Sequence, residues 1–242
     1  MTPDRLLTLW RADAARLAAV AARAPGVPVP GCPGWTMSDL AEHVAMAYLH
    51  KVAAIRENRQ PDWPPELDDV DPLALLTQAT AELDSVFAAR DPAGPAWTWG
   101  PEQTVAFWIR RMAHETAVHR VDAEAAAGER TPVDPGLAVD GADEMLSVLL
   151  PTIQRHWGDE LRSQLKGARG EVVAVRTGGR EWRLELGPDG IGFAPSGPLE
   201  ATVEGEPEQV LLWLWGRGGE VSIAGSEAAA GLLGIAMRAA AQ

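Results

Sequence analysis

The feature that most constrains this chain is a change of hydrophobic period near residue 165. Upstream, apolar residues recur every three or four positions, whereas downstream they fall in short runs rich in β-formers, several of them alternating. A helix repeats its faces about every 3.6 residues and a strand every two, so the chain must build a helical part first and a mixed part second. Residues 4–23, "DRLLTLWRADAARLAAVAAR", set Leu6, Leu9, Trp10, Leu17 and Val20 near one helical face and stop before Pro25-Gly26. A second helix opens at "TMSDLAEHVAMAYLHKVAAIREN", where Thr36 precedes Asp39 by three residues in the manner of a capping box. "PLALLTQATAELDSVFAAR" predicts a third, and further helices follow over about 102–127 and 136–157. Beyond them, "EVVAVRT", "REWRLELG", "GIGFAP", "LEATVEG" and "EVSIAG" read as strands, and "EPEQVLLWLWGR" and "SEAAAGLLGIAMRAAAQ" as helices. The expected architecture is α+β with two domains: a helical bundle over 1–160 and a small α+β domain over 165–242, with the boundary at about 158–170.

Composition narrows the function. The formal charge of −13 opposes a nucleic-acid partner, since a phosphate backbone selects a basic surface, and a small-molecule partner is expected instead. No apolar run reaches the roughly 18 residues of a membrane span, and the N-terminus carries charges where a signal peptide has its apolar core. A cytoplasmic protein is expected. The single cysteine, Cys32, leaves no internal disulfide and no Cys-rich zinc module, so any metal must be held by histidines and carboxylates.

The run "RRMAHETAVHRVDAEAA", residues 110–126, therefore draws the eye. His114 and His119 stand about 140° apart around a helix, which rules out the paired ligands of a His-Glu-x-x-His protease. Glu115 and His119 stand only about 40° apart, with Asp122 on the same face. A carboxylate and an imidazole one turn apart can share an ion, provided another element brings a third ligand. His43 and His50, seven residues apart on the second helix, occupy one face of it and suit a site between helices. On spacing alone, a local Glu115–His119 pair on a solvated face, or a buried hydrogen-bonded histidine, stands as the simpler account.

"CPGWTMSDLAEHVA", residues 32–45, taken with "RRMAHETAVHRVDAEAA", resembles the mycothiol-dependent maleylpyruvate isomerase family, within the wider group of DinB-like metal-binding four-helix bundles. "ATVEGEPEQVLLWLWGR" and "VSIAGSEAAAGLL" resemble that family's C-terminal domain, so the likeness spans most of the chain. The resemblance implies a divalent metal, most often zinc, held by His43, Glu115 and His119, with mycothiol as cosubstrate. In the namesake reaction a thiolate adds to the double bond of maleylpyruvate, the resulting single bond rotates, and the thiolate leaves. On the same footing Asp122 becomes an acceptor that orients a ligand, or else a packing contact. His50 reads as a core or rim histidine more readily than a fourth ligand, and His114 as structural or pocket-lining. Arg217, after Trp213 and Trp215, is a candidate for an anionic substrate because its fork matches a carboxylate. Cys32 and Trp35 read as turn and packing residues.

The expected function is a metal- and thiol-dependent isomerase or transferase acting on a small organic substrate. The loop "RQPDWPPELDDVD" is acidic, a poor lining for a dicarboxylate, which argues against maleylpyruvate itself. Two alternatives stand beside this reading. One is a metal-dependent hydrolase, with water in place of thiol; the other is a non-enzymatic small-ligand-binding protein that uses the C-terminal, sterol-carrier-like domain.

Overall fold

The computed structural model describes residues 1–65, 70–194 and 196–240 and divides into two compact units, Met1–Pro132 and Val133–Gln242. The first unit is a bundle of α1 (Pro3–Ala21), α2 (Met37–Glu57), α3 (Pro72–Ala89) and α4 (Val105–Ala126). Each start is chemically marked. Thr2, Asp71 and Thr104 cap α1, α3 and α4 with their side chains, and Thr36 and Asp39 form a reciprocal capping box on α2. α2 stops at Asn58, whose φ of 49° is left-handed, a conformation that asparagine tolerates better than most residues.

Within the bundle α1 packs on α4, α2 on α3, and α2 also on α4. Trp10, Leu17, Leu40, Tyr48, Leu83, Trp108 and Ile109 are fully buried between these helices. One hydrogen-bonded chain crosses that core. Trp10 Nε1 donates to Tyr48 Oη at 3.2 Å, Tyr48 Oη lies 2.6 Å from Thr116 Oγ1, and Thr116 Oγ1 donates to Met112 O at 2.6 Å. Because the threonine proton is spent on Met112, the tyrosine must donate to the threonine, and every polar atom of the chain is satisfied. The effect is to lock α1 and the register of α2 against α4.

The second unit holds α5 (Pro135–Glu144), a π-helical turn (Met145–Leu149), α6 (Leu150–Gln164), α7 (Pro207–Leu214), α8 (Glu227–Ala240) and a five-stranded sheet. The strands are β1 (Glu171–Thr177), β2 (Arg180–Gly187), β3 (Gly190–Phe193), β4 (Ala201–Glu204) and β5 (Ser222–Gly225), in the order β3-β2-β1-β4-β5. Among the described strands only β1 and β4 pair in parallel. Val173, Val175, Leu184, Leu186 and Val203 face a core closed by Leu233 and Met237 of α8. Gln154 of α6 bonds both the N–H and the carbonyl of Ile191, at 2.6 and 2.9 Å, which pins that helix to β3.

The division at Pro132 falls earlier than the expected boundary at 158–170. α5 packs on α7, and α6 on α8 and β3, so both helices belong with the sheet. Periodicity reports that a segment is helical and not which core it covers. The α+β class and the order of elements are as expected, and none of the described helices is long and apolar enough to cross a membrane.

Replacing Tyr48 by Phe leaves the Trp10 N–H buried without an acceptor. Tyr48→Phe should lower stability by about 1–3 kcal/mol in urea denaturation; a variant as stable as the parent would show that this chain of bonds does not tie the helices together.

Candidate metal centre

α2 and α4 bring three donor atoms together. His43 Nε2 and His119 Nε2 each lie 3.3 Å from the same oxygen, Glu115 Oε1. The two imidazole rings meet edge to face with centroids 5.1 Å apart, and the three donors all fall within 4.8 Å of one another. The other Glu115 oxygen accepts from Arg111 Nη2, one turn earlier on α4. Arg111, Glu115 and His119 therefore form a stripe at i, i+4 and i+8, the spacing that stacks side chains on a helix face. His43 is the most exposed of the three donors at 27%, so the centre opens toward solvent on the α2 side.

Asp122 completes the His119 side. Its Oδ2 lies 3.1 Å from His119 Nδ1, and an ionised carboxylate can only accept, so Nδ1 carries the proton. In the neutral ring the lone pair then sits on Nε2, aimed at Glu115. Cys32 Sγ donates to the same Asp122 oxygen at 3.5 Å. Cys32, His119 and Asp122 thus make a second group of possible ligands that shares His119 with the first. Trp35 packs on the His43 ring with centroids 4.8 Å apart.

The electrostatics follow from these partners. Burial pushes the Glu115 carboxyl up, but the Arg111 guanidinium and the two imidazoles outweigh it and hold the group well below the usual carboxylate range. For His119 burial disfavours the cation, yet Asp122, Cys32 and Glu115 raise it well above an ordinary histidine. Without an ion, His119 is thus held as a cation beside an anionic Glu115, and a divalent cation is the natural replacement for that proton.

The donor set fits a divalent metal. Two imidazole nitrogens and a carboxylate oxygen converge, and the outer nitrogen of one ligand is fixed by a further carboxylate, the arrangement that orients histidines at zinc sites.

The remaining sequence candidates fall elsewhere. His50 lies outside both ligand groups, between Trp63 and Trp97 at 5.6 and 6.3 Å, with Nδ1 3.2 Å from Lys51 Nζ. His114 is buried in α4 and belongs to neither group of possible ligands. Arg217 belongs to the second unit, where it donates to Trp215 O at 2.7 Å. Residues 66–69 of the acidic loop lie outside the described residues. Three participants are not singled out by sequence reasoning: Arg111, although its i−4 spacing to Glu115 is legible, and Lys51 and Trp63, which no spacing rule links to the motif. Cys32, expected only to pack, touches Asp122.

Arg111→Met removes the cation from a carboxylate that is 16% exposed, at an expected cost of about 3 kcal/mol in chelator-treated protein near neutral pH. Because the folded pKa of Glu115 is depressed, its contribution is full above the ordinary value of about 4.3 and is lost as pH falls through the depressed one. The gap between parent and variant in urea denaturation should therefore be widest above about pH 5 and close toward lower pH; a gap that does not change with pH would mean that Arg111 acts through packing alone.

Comparison with known proteins bears on the fold and the family. No curated protein matches the sequence. Two solved structures match over 93% of this chain and 93% of their own: a mycothiol-dependent maleylpyruvate isomerase, at 16% identity and a TM-score of 0.62, and a histidine-to-alanine variant under the same name, at 17% and 0.61. At that identity the likeness establishes the fold. Residues 2–124 match the model of the mycothiol maleylpyruvate isomerase N-terminal domain, and residues 136–231 match that of the family's C-terminal domain. With both domains matched in order over most of its length, the chain belongs to the mycothiol maleylpyruvate isomerase family.

Proposed function

We propose that the chain is a zinc-dependent enzyme that uses a low-molecular-weight thiol, mycothiol, to isomerise a small organic substrate or to transfer the thiol to it. The reading is carried by one observation: two imidazole nitrogens and a carboxylate oxygen converge within 4.8 Å, with a further carboxylate behind one ligand. His43, Glu115 and His119 would hold the ion. Three protein donors are the ligand count of catalytic rather than structural zinc. When bound, the ion supplies a Lewis acid that favours thiolate over thiol near neutral pH.

The chain's own residues do the rest. Asp122 keeps the His119 proton on Nδ1, so Nε2 faces inward as a donor. Arg111 keeps Glu115 ionised and anchors its second oxygen, leaving Oε1 directed at the imidazoles. Trp35, against His43, screens one side of the centre with an apolar surface. The thiol sulfur is the nucleophile toward the substrate. Isomerisation follows if it adds to a double bond and leaves after rotation, and transfer follows if it stays. The names of the structural neighbours favour thiol over water as the second reactant, and hence this reading over a hydrolase. A cytoplasmic location suits an enzyme whose cosubstrate must stay reduced.

The first test is metal content by inductively coupled plasma mass spectrometry, beside a variant combining His43→Ala, Glu115→Ala and His119→Ala. Near-stoichiometric zinc in the parent, lost in the variant, together with mycothiol binding by calorimetry, is the expected result. Protein that neither retains nor takes up zinc overturns the metal reading; zinc without thiol affinity turns the assignment to a hydrolase. Asp122→Asn should weaken zinc binding about 10–100-fold while the fold persists; an unchanged affinity would remove Asp122 from the site.

A further inference from the structure

The α2–α4 seam does not end at the three donors. Lys51 lies eight residues beyond His43 on α2, about 12 Å along the helix axis. Its ammonium sits 5.1 Å from the centroid of Trp108 and 5.6 Å from that of Trp63. Trp63 links the two ends: its ring lies 6.4 Å from His43 and 5.6 Å from His50, yet 52% of the residue is exposed. An indole of that size left open beside a candidate metal centre is a stacking surface for an incoming ligand.

The charge of Lys51 is the unusual feature. None of the ion pairs among the described residues includes it, and its one hydrogen bond goes to His50 Nδ1. His50 offers no negative charge, because an imidazole is neutral or cationic; burial and the nearby Lys51 charge push its pKa down to about 4 and keep it neutral. Burial also lowers Lys51 itself to about 8, with Arg111 adding to the effect and Glu115 opposing it. Partly withdrawing an ammonium from water with no carboxylate paired to it among the described residues is costly, and cation–π contact with two indoles offsets only part of the cost. Arg111 is engaged by Glu115, so among the described residues Lys51 is the cation at this end of the seam that is not paired with a carboxylate.

We propose that Lys51 is the specificity residue of the site, pairing with the carboxylate of a flat aryl or conjugated acid whose apolar body lies along the indole of Trp63 toward His43. This rests on the reading of His43, Glu115 and His119 as the reacting end of the site. The indoles select a planar carbon skeleton and Lys51 selects its charge, whereas a compact dicarboxylate would present a second charge to the tryptophans.

The test uses zinc-loaded full-length protein and two probes of one shape, trans-cinnamate and its uncharged amide, titrated calorimetrically into the parent, Lys51→Met and Lys51→Gln. The parent should prefer the acid by about tenfold or more, the range of one charge-assisted hydrogen bond. The preference should collapse toward parity in Lys51→Met. Lys51→Gln, which keeps a donor for His50, should lose it equally and serves if the methionine variant does not fold. Absence of cinnamate binding to the parent, equal binding of acid and amide, or a preference that survives both substitutions each overturns the proposal. Zinc is measured on the same samples. Protein without zinc that still prefers the acid through Lys51 sinks the metal reading alone, and zinc-loaded protein with no preference sinks only this one.

Discussion

The N-terminal unit is organised around the charge of a single carboxylate. Glu115 is mostly withdrawn from water, and an uncompensated carboxylate there would cost several kcal/mol. It is compensated from three directions: Arg111 from the preceding turn, His119 from the following one, and His43 from across the helix interface. The first two come from α4 alone. The third demands that α2 lie at one register against α4, and the bond between Tyr48 and Thr116, farther along the same seam, enforces that register from within the apolar core. The site and the core therefore specify the same placement.

This explains why the most buried helix of the bundle also buries the most polar side chains. Arg111, His114, Thr116, His119, Arg120, Asp122 and Glu124 are all buried in α4. On the side away from the donors, Arg120 is paired with Glu124 at 2.7 Å and with Asp13 at 2.9 Å, and Glu124 also takes Arg16. Replaced by apolar residues, such pairs would leave a bundle of similar stability. What they add is directionality, because each charge accepts only partners in the right place. A helix so constrained can hold its donors steady, and that matters more at a metal centre than a few kcal/mol of folding energy.

The sequence carries the local part of this arrangement. The capping box at Thr36 and Asp39, the i,i+4 relation of Glu115 and His119 and the wrong phase of His114 are properties of single helices, and all are present in the structure. The location of His43 opposite Glu115 depends on how two helices pack, so within the sequence only the resemblance to a family points to it. The division between the units is hidden from the sequence for a related reason: α5 and α6 have the period of the bundle helices but pack on the sheet side. Cys32 meets Asp122 across 90 residues of chain, and no spacing rule reaches that far.

A division of labour between helix and loop follows. The donors sit within long helices, where packing holds them in place, whereas Trp63 stands on the connection between α2 and α3, with half its surface open. Reaction chemistry tolerates little movement of its donors, but recognition of a carbon skeleton tolerates exchange of one loop side chain for another. Lys51 occupies the middle ground, on a helix yet facing the loop. On the proposed reading, changes confined to Trp63 and its neighbours would redirect the site to a different acid while the centre at Glu115 stays as it is, and chains that share one fold at 16% identity would differ in their substrates without rebuilding the candidate metal site.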